Sequence, residues 1–548
     1  MFARVKKSGS YEYLQIVENR KEGGKVKQTV IATLGRLDQL REKSRVETLI
    51  RSLSRFSEQA LLILSGKSDV CADGKKIGPV LIFERLWKET GIADAIRSLL
   101  RDRKFAFDVE RAIFITVLHR LMVSGSDRNC ELWRRDYLID GADGLSIHHF
   151  YRAMALLGEE LIDQTDATPF SPRCQKDLIE EDVFFARRDL FTELDLVFFD
   201  TTSIYFEGEG GGDLGKKGFS KDHRPDCNQM VVGAVIDQNG RPICCEMWPG
   251  NTADVKTLIP VIDRMRNRFG IGKSCVVADR GMISERTLRE LDSEQIPFIL
   301  GTRMRKFKEV KEEVLSRPGR YREVRPEGVR SKDPAPLKVK EVLVDGKRYI
   351  VCVNSRQARK DALDREMIVE SLRNRLNTDR KSLVGNKGYR RYLKLHKDSV
   401  EIDEDKIDAE ARFDGKWVLR TNTDLPAEQV ALKYKELWQV EQVFRDMKSV
   451  LETRPVFHQR NDTIRGHVFC SFLALVLRKE LQRRLTATGQ SFEWNEIKQD
   501  LKALQIFEIE EKGTKMAIRT ESKGCCGKVF QAVGVALPPR IRAVEKAA

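Results

Sequence analysis

Between Leu194 and Arg303, apolar runs follow one another in an order that few architectures accept. "LDLVFFDTTSIYF" (194–206) is rich in β-branched and aromatic side chains and reads as a buried strand. A glycine-rich loop, "EGEGGGDLGKKGFSKDHRPDCNQ", leads into "MVVGAVIDQNGRPICCEMWPG", two apolar runs around the hairpin signal Asn239-Gly240. "DVKTLIPVIDRMRNRFG" is an amphipathic helix ending at Gly270, and "KSCVVADRG" is a short buried strand ending at Asp279. "SERTLRELDSEQ" is a helix with Ser284 as its N-cap candidate, and "IPFILGTR" is a further strand. The order is a three-stranded meander, then helix, strand, helix, strand.

Three carboxylates interrupt this apolar texture. Asp200 closes the run Val197-Phe198-Phe199, and Asp279 closes "CVVA". Burying either is costly unless it is paired or holds a metal. Glu441 lies in "AEQVALKYKELWQVEQVFRDMKSVLE", which reads as one long helix. Tyr434, Leu437, Glu441, Phe444 and Lys448 step by three or four there, so Glu441 is expected on the core-facing stripe. Taken singly, a strand-end Asp more often caps a turn, and a helix Glu is usually solvated. Together, converging carboxylates repel one another unless divalent cations neutralise them.

Outside this region the chain divides by texture. Residues 1–44 read as a β-hairpin region turning at "KEGG", and 45–190 as a basic, mostly helical layer that includes "VETLIRSLSRFSEQALLIL". Residues 191–303 and 413–488 hold the αβ elements. Residues 304–412 read as an inserted unit rather than a continuation of the sheet, with a hairpin at Asp345-Gly346 and a long charged helix. The tail, 489–548, has no clear pattern.

Several function classes fall away. Eleven cysteines show no zinc spacing, and the seven histidines show no ligand spacing; buried thiols in a reducing compartment are expected. No run reaches the ~18 apolar residues of a membrane helix, and the N-terminus lacks a signal peptide, so a soluble cytoplasmic protein is expected. "GGGDLGKK" nearly forms a phosphate loop, but Lys217 stands where a hydroxyl is needed and no helix pattern follows. Trp248 and Trp438 could stack on bases, but they read first as core. His148-His149 read as a helix opening. A net charge of +15 and a pI of about 9.2 favour a polyanionic partner.

Three separated blocks then agree in order and context. "FFDTTSIYF" matches a D-x-T block, "VVADRGMIS" a D-R-G block, and "YKELWQVEQVFRDMK" places Tyr434, Glu441 and Lys448 at the spacing of a Y-x2-R-x3-E-x6-K block. Over about Asp195 to Arg478 the chain resembles the DDE transposases of bacterial insertion sequences. The resemblance implies an α/β fold: a ribonuclease H-like mixed sheet flanked by helices, with an inserted subdomain and an N-terminal, mostly helical DNA-binding region. It implies that Asp200, Asp279 and Glu441 are catalytic and hold two Mg2+ ions, with Mn2+ as a substitute. Tyr434 and Lys448 would contact terminal phosphates, and Lys216, Lys217, Lys221 and Arg280 would lie along DNA. Leu437 stands where the family has Arg and cannot hold a phosphate, which weakens a hairpin route; Arg445 is a nearby source of charge. The implied partners are double-stranded DNA (terminal inverted repeats and target) and a second copy of the chain on paired ends, in a bacterial nucleoid. The competing reading is a DNA-binding protein or nuclease on the same fold that no longer transposes.

Overall fold

The computed structural model describes residues 2–22, 25–42, 72–168, 171–187, 195–271, 274–325, 337–376, 387–396, 400–511 and 514–544. The helix expected over "VETLIRSLSRFSEQALLIL" lies outside them. The strands β1 (Phe2–Ser8), β2 (Tyr11–Glu22) and β3 (Lys25–Arg36) form an antiparallel sheet of their own. β4 (Ala72–Lys76) pairs far along the chain with β16 (Gln505–Glu511), which continues to β17 (Thr514–Arg519) and β18 (Ile541–Val544).

At the centre lies the expected meander. β5 (Leu196–Tyr205) runs antiparallel to β6 (Gln229–Asp237), which runs antiparallel to β7 (Pro242–Pro249). On its other side β5 pairs in parallel with β8 (Cys275–Ala278), and β8 in parallel with β9 (Phe298–Gly301). The spatial order β7-β6-β5-β8-β9, with only β6 reversed among the inner strands, is the ribonuclease H-like arrangement. Its tightest turn uses the Asn239-Gly240 signal: Gly240 has φ 72°, and Asp237 Oδ1 accepts the N–H groups of Asn239 and Arg241, both at 2.8 Å.

Alternation along β5 feeds two cores. Val197 and Phe199 face one side, packed with the helices Leu258–Phe269 and Glu285–Ser293. Leu196 and Phe198 face the other, where the 27-residue helix Asn461–Ala487 joins the sheet to the preceding helices. That central helix crosses the helix Ile147–Gly158 so closely that a Cβ at Gly466 would strike the Met154 carbonyl, and one at Gly158 the Asp462 carbonyl. The helix Val109–Met122 is buried along its whole length, so it offers no face to DNA. The helix Ile147–Gly158 opens as expected at His148-His149, with His149 Nδ1 accepting the Ser146 N–H at 3.0 Å.

A buried ionic knot fastens the helix Gln175–Arg187 to the sheet. Arg268 reaches Asp177 Oδ1 at 3.3 Å, Glu180 Oε2 at 2.8 Å and Glu246 Oε1 at 3.4 Å, while Arg264 and Lys176 also pair with Asp177. These cations hold Asp177 far below the usual carboxylate range despite complete burial.

Two expectations are corrected. The segment after Met304 does continue the sheet: β10 (Arg322–Val324), β11 (Leu337–Val344) and β12 (Lys347–Asn354) are antiparallel neighbours, and β12 pairs with β15 (Lys416–Thr421), which pairs with β9. Hairpin composition specifies the hairpin but not which outer edge receives it. Among the described residues, the helices Ser355–Arg375, Lys387–Arg390 and Glu404–Ala411, the hairpin β13 (Leu393–Leu395) and β14 (Val400–Ile402), and the π-turn Val310–Val314 stand outside the sheet. Second, the long helix is broken: Ala427–Lys435 and Trp438–Arg445 are separate, and Asp446–Val450 is a π-turn.

Candidate active site

Parallel pairing of β5 and β8 sets Phe199 opposite Ala278, so Asp200, the next residue of β5, and Asp279, the first residue after β8, lie at one level. Asp200 Oδ1 accepts the Thr201 N–H at 2.7 Å. Burial pushes the Asp200 carboxyl up to about 7, the charges of Asp279 and Asp254 push the same way, and Lys221 opposes them. Tyr434, at the end of its helix, donates its hydroxyl to Asp279 Oδ1 at 3.0 Å, and burial together with that carboxylate raises the phenol well above its usual range. Gly301, ending β9, makes room for this ring: a Cβ there would strike the Tyr434 hydroxyl.

The third acidic residue is placed differently from expectation. The helix Trp438–Arg445 packs on β5 and β6, but its buried face is Val440, Val443 and Phe444, and Glu441 is exposed. It lies about 100° round the helix from Val440, at the rim of the apolar stripe rather than inside it. The ligand oxygens of Asp200, Asp279 and Glu441 do not all lie within 4.8 Å of one another. Trp438, expected in the core, is 59% exposed one turn before Glu441, whereas Trp248 is core at 2%. Leu437 is buried.

Of the expected DNA-contacting residues, Lys216 and Lys217 are exposed and turn back on their own loop, to the carbonyls of Gly212 and Asp226. No helix begins at Lys217. Arg280 and Arg445 are exposed, and Arg303 grips the Arg280-Gly281 turn through both carbonyls, at 3.0 and 2.8 Å. Lys221 is drawn into the site: its Nζ meets the Thr201 carbonyl at 2.7 Å, Thr201 Oγ1 at 3.0 Å and Asp254 Oδ2 at 3.2 Å. Lys448 is only 11% exposed and pairs with Asp222 Oδ1 at 2.8 Å.

Two residues were missed in the sequence. Asp254 accepts the Thr201 hydroxyl at 2.7 Å, and a Cβ at Gly281 would stand 3.4 Å from its Oδ2, so it spans the Asp200 strand and the Asp279 turn. Arg454 contacts Asp222 Oδ1 at 2.9 Å. Asp254 sits in "PGNTAD", where it reads as an ordinary turn residue, and Arg454 follows a helix in an unpatterned stretch.

This donor set suits a hard cation. It consists of carboxylates, one of them, Asp200, pushed up to about 7 by burial and by the neighbouring Asp279 and Asp254 despite Lys221. A different cluster, Asp127, His458 and His467, only looks like a metal site. Arg120 can only donate, and it occupies His467 Nδ1 at 2.9 Å, so His467 Nε2 donates to the Thr453 carbonyl at 3.1 Å and neither ring nitrogen is free.

Asp200, within the central strand β5, and Asp279, directly after its parallel neighbour β8, share one level of a ribonuclease H-like sheet, the arrangement of a nucleic-acid-processing fold. The family described as Transposase DDE domain matches residues 192–477, and that described as IS1634 family transposase, N-terminal domain, matches residues 3–67. The chain belongs to the DDE transposase family; it is a DNA transposase, a DNA-binding and DNA-cleaving enzyme. Among solved structures, the piggyBac transposase synaptic complex with hairpin DNA is similar, at 10% identity over 78% of this chain and 79% of that one, with a TM-score of 0.38. A search of curated proteins found no match. Among the described residues, no helix is long and apolar enough to cross a membrane.

Proposed function

We propose that this transposase hydrolyses the strand ends of its element and joins the freed 3′-OH to target DNA, with Asp200, Asp279 and Glu441 as its metal-holding carboxylates. The observation that carries this reading is the placement of Asp200 and Asp279 at one level, with burial and the neighbouring carboxylates raising Asp200 against the pull of Lys221. Two Mg2+ ions, with Mn2+ as a substitute, would supply Lewis-acid stabilisation of the scissile phosphate when bound. Glu441, exposed on a helix lying over β5 and β6, is available to reach such ions. Tyr434 orients Asp279 through its hydroxyl, and Gly301 keeps that approach open. Arg280, Arg445, Lys216 and Lys217 offer charge to backbone phosphates, and Lys221 and Lys448 do so once released from their carboxylates. Trp438 offers an exposed face to an unpaired base. End recognition is assigned to the N-terminal regions, and concerted cutting to a dimer on paired ends in the bacterial nucleoid.

The test is cleavage of DNA carrying the gene with its native flanks, in Mg2+, by the wild type and by Glu441→Gln. Cuts at two defined ends that vanish in the variant support the assignment. Specific binding without cutting, in Mg2+ or Mn2+, would leave a DNA-binding relic. Asp279→Asn should abolish cleavage and keep end binding; loss of both would make Asp279 a folding residue.

A further inference from the structure

The loop between β5 and β6 enters the site with two adjacent residues of opposite charge. Lys221 is pinned from three sides: its N–H donates to Ser203 Oγ at 2.7 Å, and its ammonium meets Thr201 and Asp254. Asp222 turns the other way, and its side chain is 5% exposed. One oxygen, Oδ1, receives both Lys448 at 2.8 Å and Arg454 at 2.9 Å, while Oδ2 is buried with no hydrogen-bond partner. A buried carboxylate with one oxygen doubly bonded to cations and the other unsatisfied is poorly used as a structural ion pair. Arg454 is further held over the Tyr205 ring, 5.7 Å from its centroid, which fixes its guanidinium at the end of β5.

We propose that Lys448 and Arg454 form a phosphate-binding subsite for the transposon end, and that Asp222 occupies it as an internal anion until DNA displaces it. The ligand is a DNA backbone phosphate, recognised by two convergent cations, one of them a planar guanidinium suited to two phosphate oxygens. The displaced loop would take Lys221 with it, away from Asp254 and the aspartates. This rests on the active site proposed above and adds to it Arg454 and the requirement that the loop exchange its contacts.

The experiment uses the full chain and a duplex carrying the gene's own terminal repeat, with a scrambled duplex of equal length beside it. Binding is titrated across a series of salt concentrations without divalent metal, and a thermal melt is recorded for every variant. Asp222→Asn removes the internal anion and should tighten binding of the terminal repeat, by roughly tenfold for one like-charge competitor removed from a partly buried site. Asp222→Ser, which lacks the carboxamide, should do the same. Arg454→Met should weaken binding and flatten the salt dependence by about one released counterion. A merely structural ion pair predicts the opposite for Asp222: lower melting temperature with affinity unchanged or weakened. Unchanged or weaker binding by both Asp222 variants, with the fold intact, would overturn the proposal. So would Arg454→Met binding like wild type while Lys448→Met weakens. If Lys448→Met also binds like wild type, the failure lies in the active-site reading itself, and the subsite falls with it.

Discussion

Asp200→Asn separates the charge of this residue from its shape, and its consequence for stability can be worked out with its sign. The wild-type carboxyl is pushed from its ordinary 3.8 up to about 7, by burial first and then by Asp279 and Asp254, against the pull of Lys221. The unfolded chain releases this proton near 3.8 and the native state near 7. Between those values the native state binds the extra proton, so stability falls as pH rises and the loss is complete above about 7. At ~1.4 kcal/mol per tenfold change in proton affinity, the upper bound is about 4 kcal/mol; solvent reaching a half-buried carboxylate reduces it to about 2–4 kcal/mol. The asparagine variant carries no such cost. Thermal melts in EDTA should therefore show the variant more stable than wild type, with a gap that grows from pH 4.5 to about 7 and is level beyond. Adding Mg2+ at pH 8 should raise the wild-type melting temperature and leave the variant's unchanged, because a ligand binding only the native state stabilises it. A variant less stable than wild type at pH 8, or a gap independent of pH, would refute the argument that Asp200 is an uncompensated charge.

Two further changes probe how the site is built. Gly301→Ala should push the Tyr434 hydroxyl off Asp279, cost about 1–3 kcal/mol in overpacking, and lower the cleavage rate roughly a hundredfold with DNA binding kept; denaturant melts and cleavage time courses check both parts. Arg268→Met should cost about 3–5 kcal/mol, because it strips the cation from buried Asp177 and Glu180; a melt within error of wild type would mean Arg264 and Lys176 suffice.

The legible part of this protein was local. Val197 and Phe199 alternate with Leu196 and Phe198, so a strand buried on both faces could be read directly, and Asn239-Gly240 marked the hairpin between β6 and β7. Asp200 and Asp279 stood out because each ends such a run. Glu441 was found by its spacing, but its orientation was not: helix periodicity ranks faces only while the helix is continuous, and this one breaks between Lys435 and Trp438. Trp438 was misplaced for the same reason.

Residue type, period and turn chemistry thus determined the strands, the order of elements and the two aspartates that close apolar runs, since each depends on near neighbours in the chain. Only the tertiary structure decided which edges meet: β12 against β15, and β4 against β16 from opposite ends of the protein. It alone brought Asp254 to Thr201, and Asp222 to Lys448 and Arg454. Contacts between distant segments depend on how sheets and helices close on one another, and an acidic residue in a turn carries no local mark of the cation it will meet.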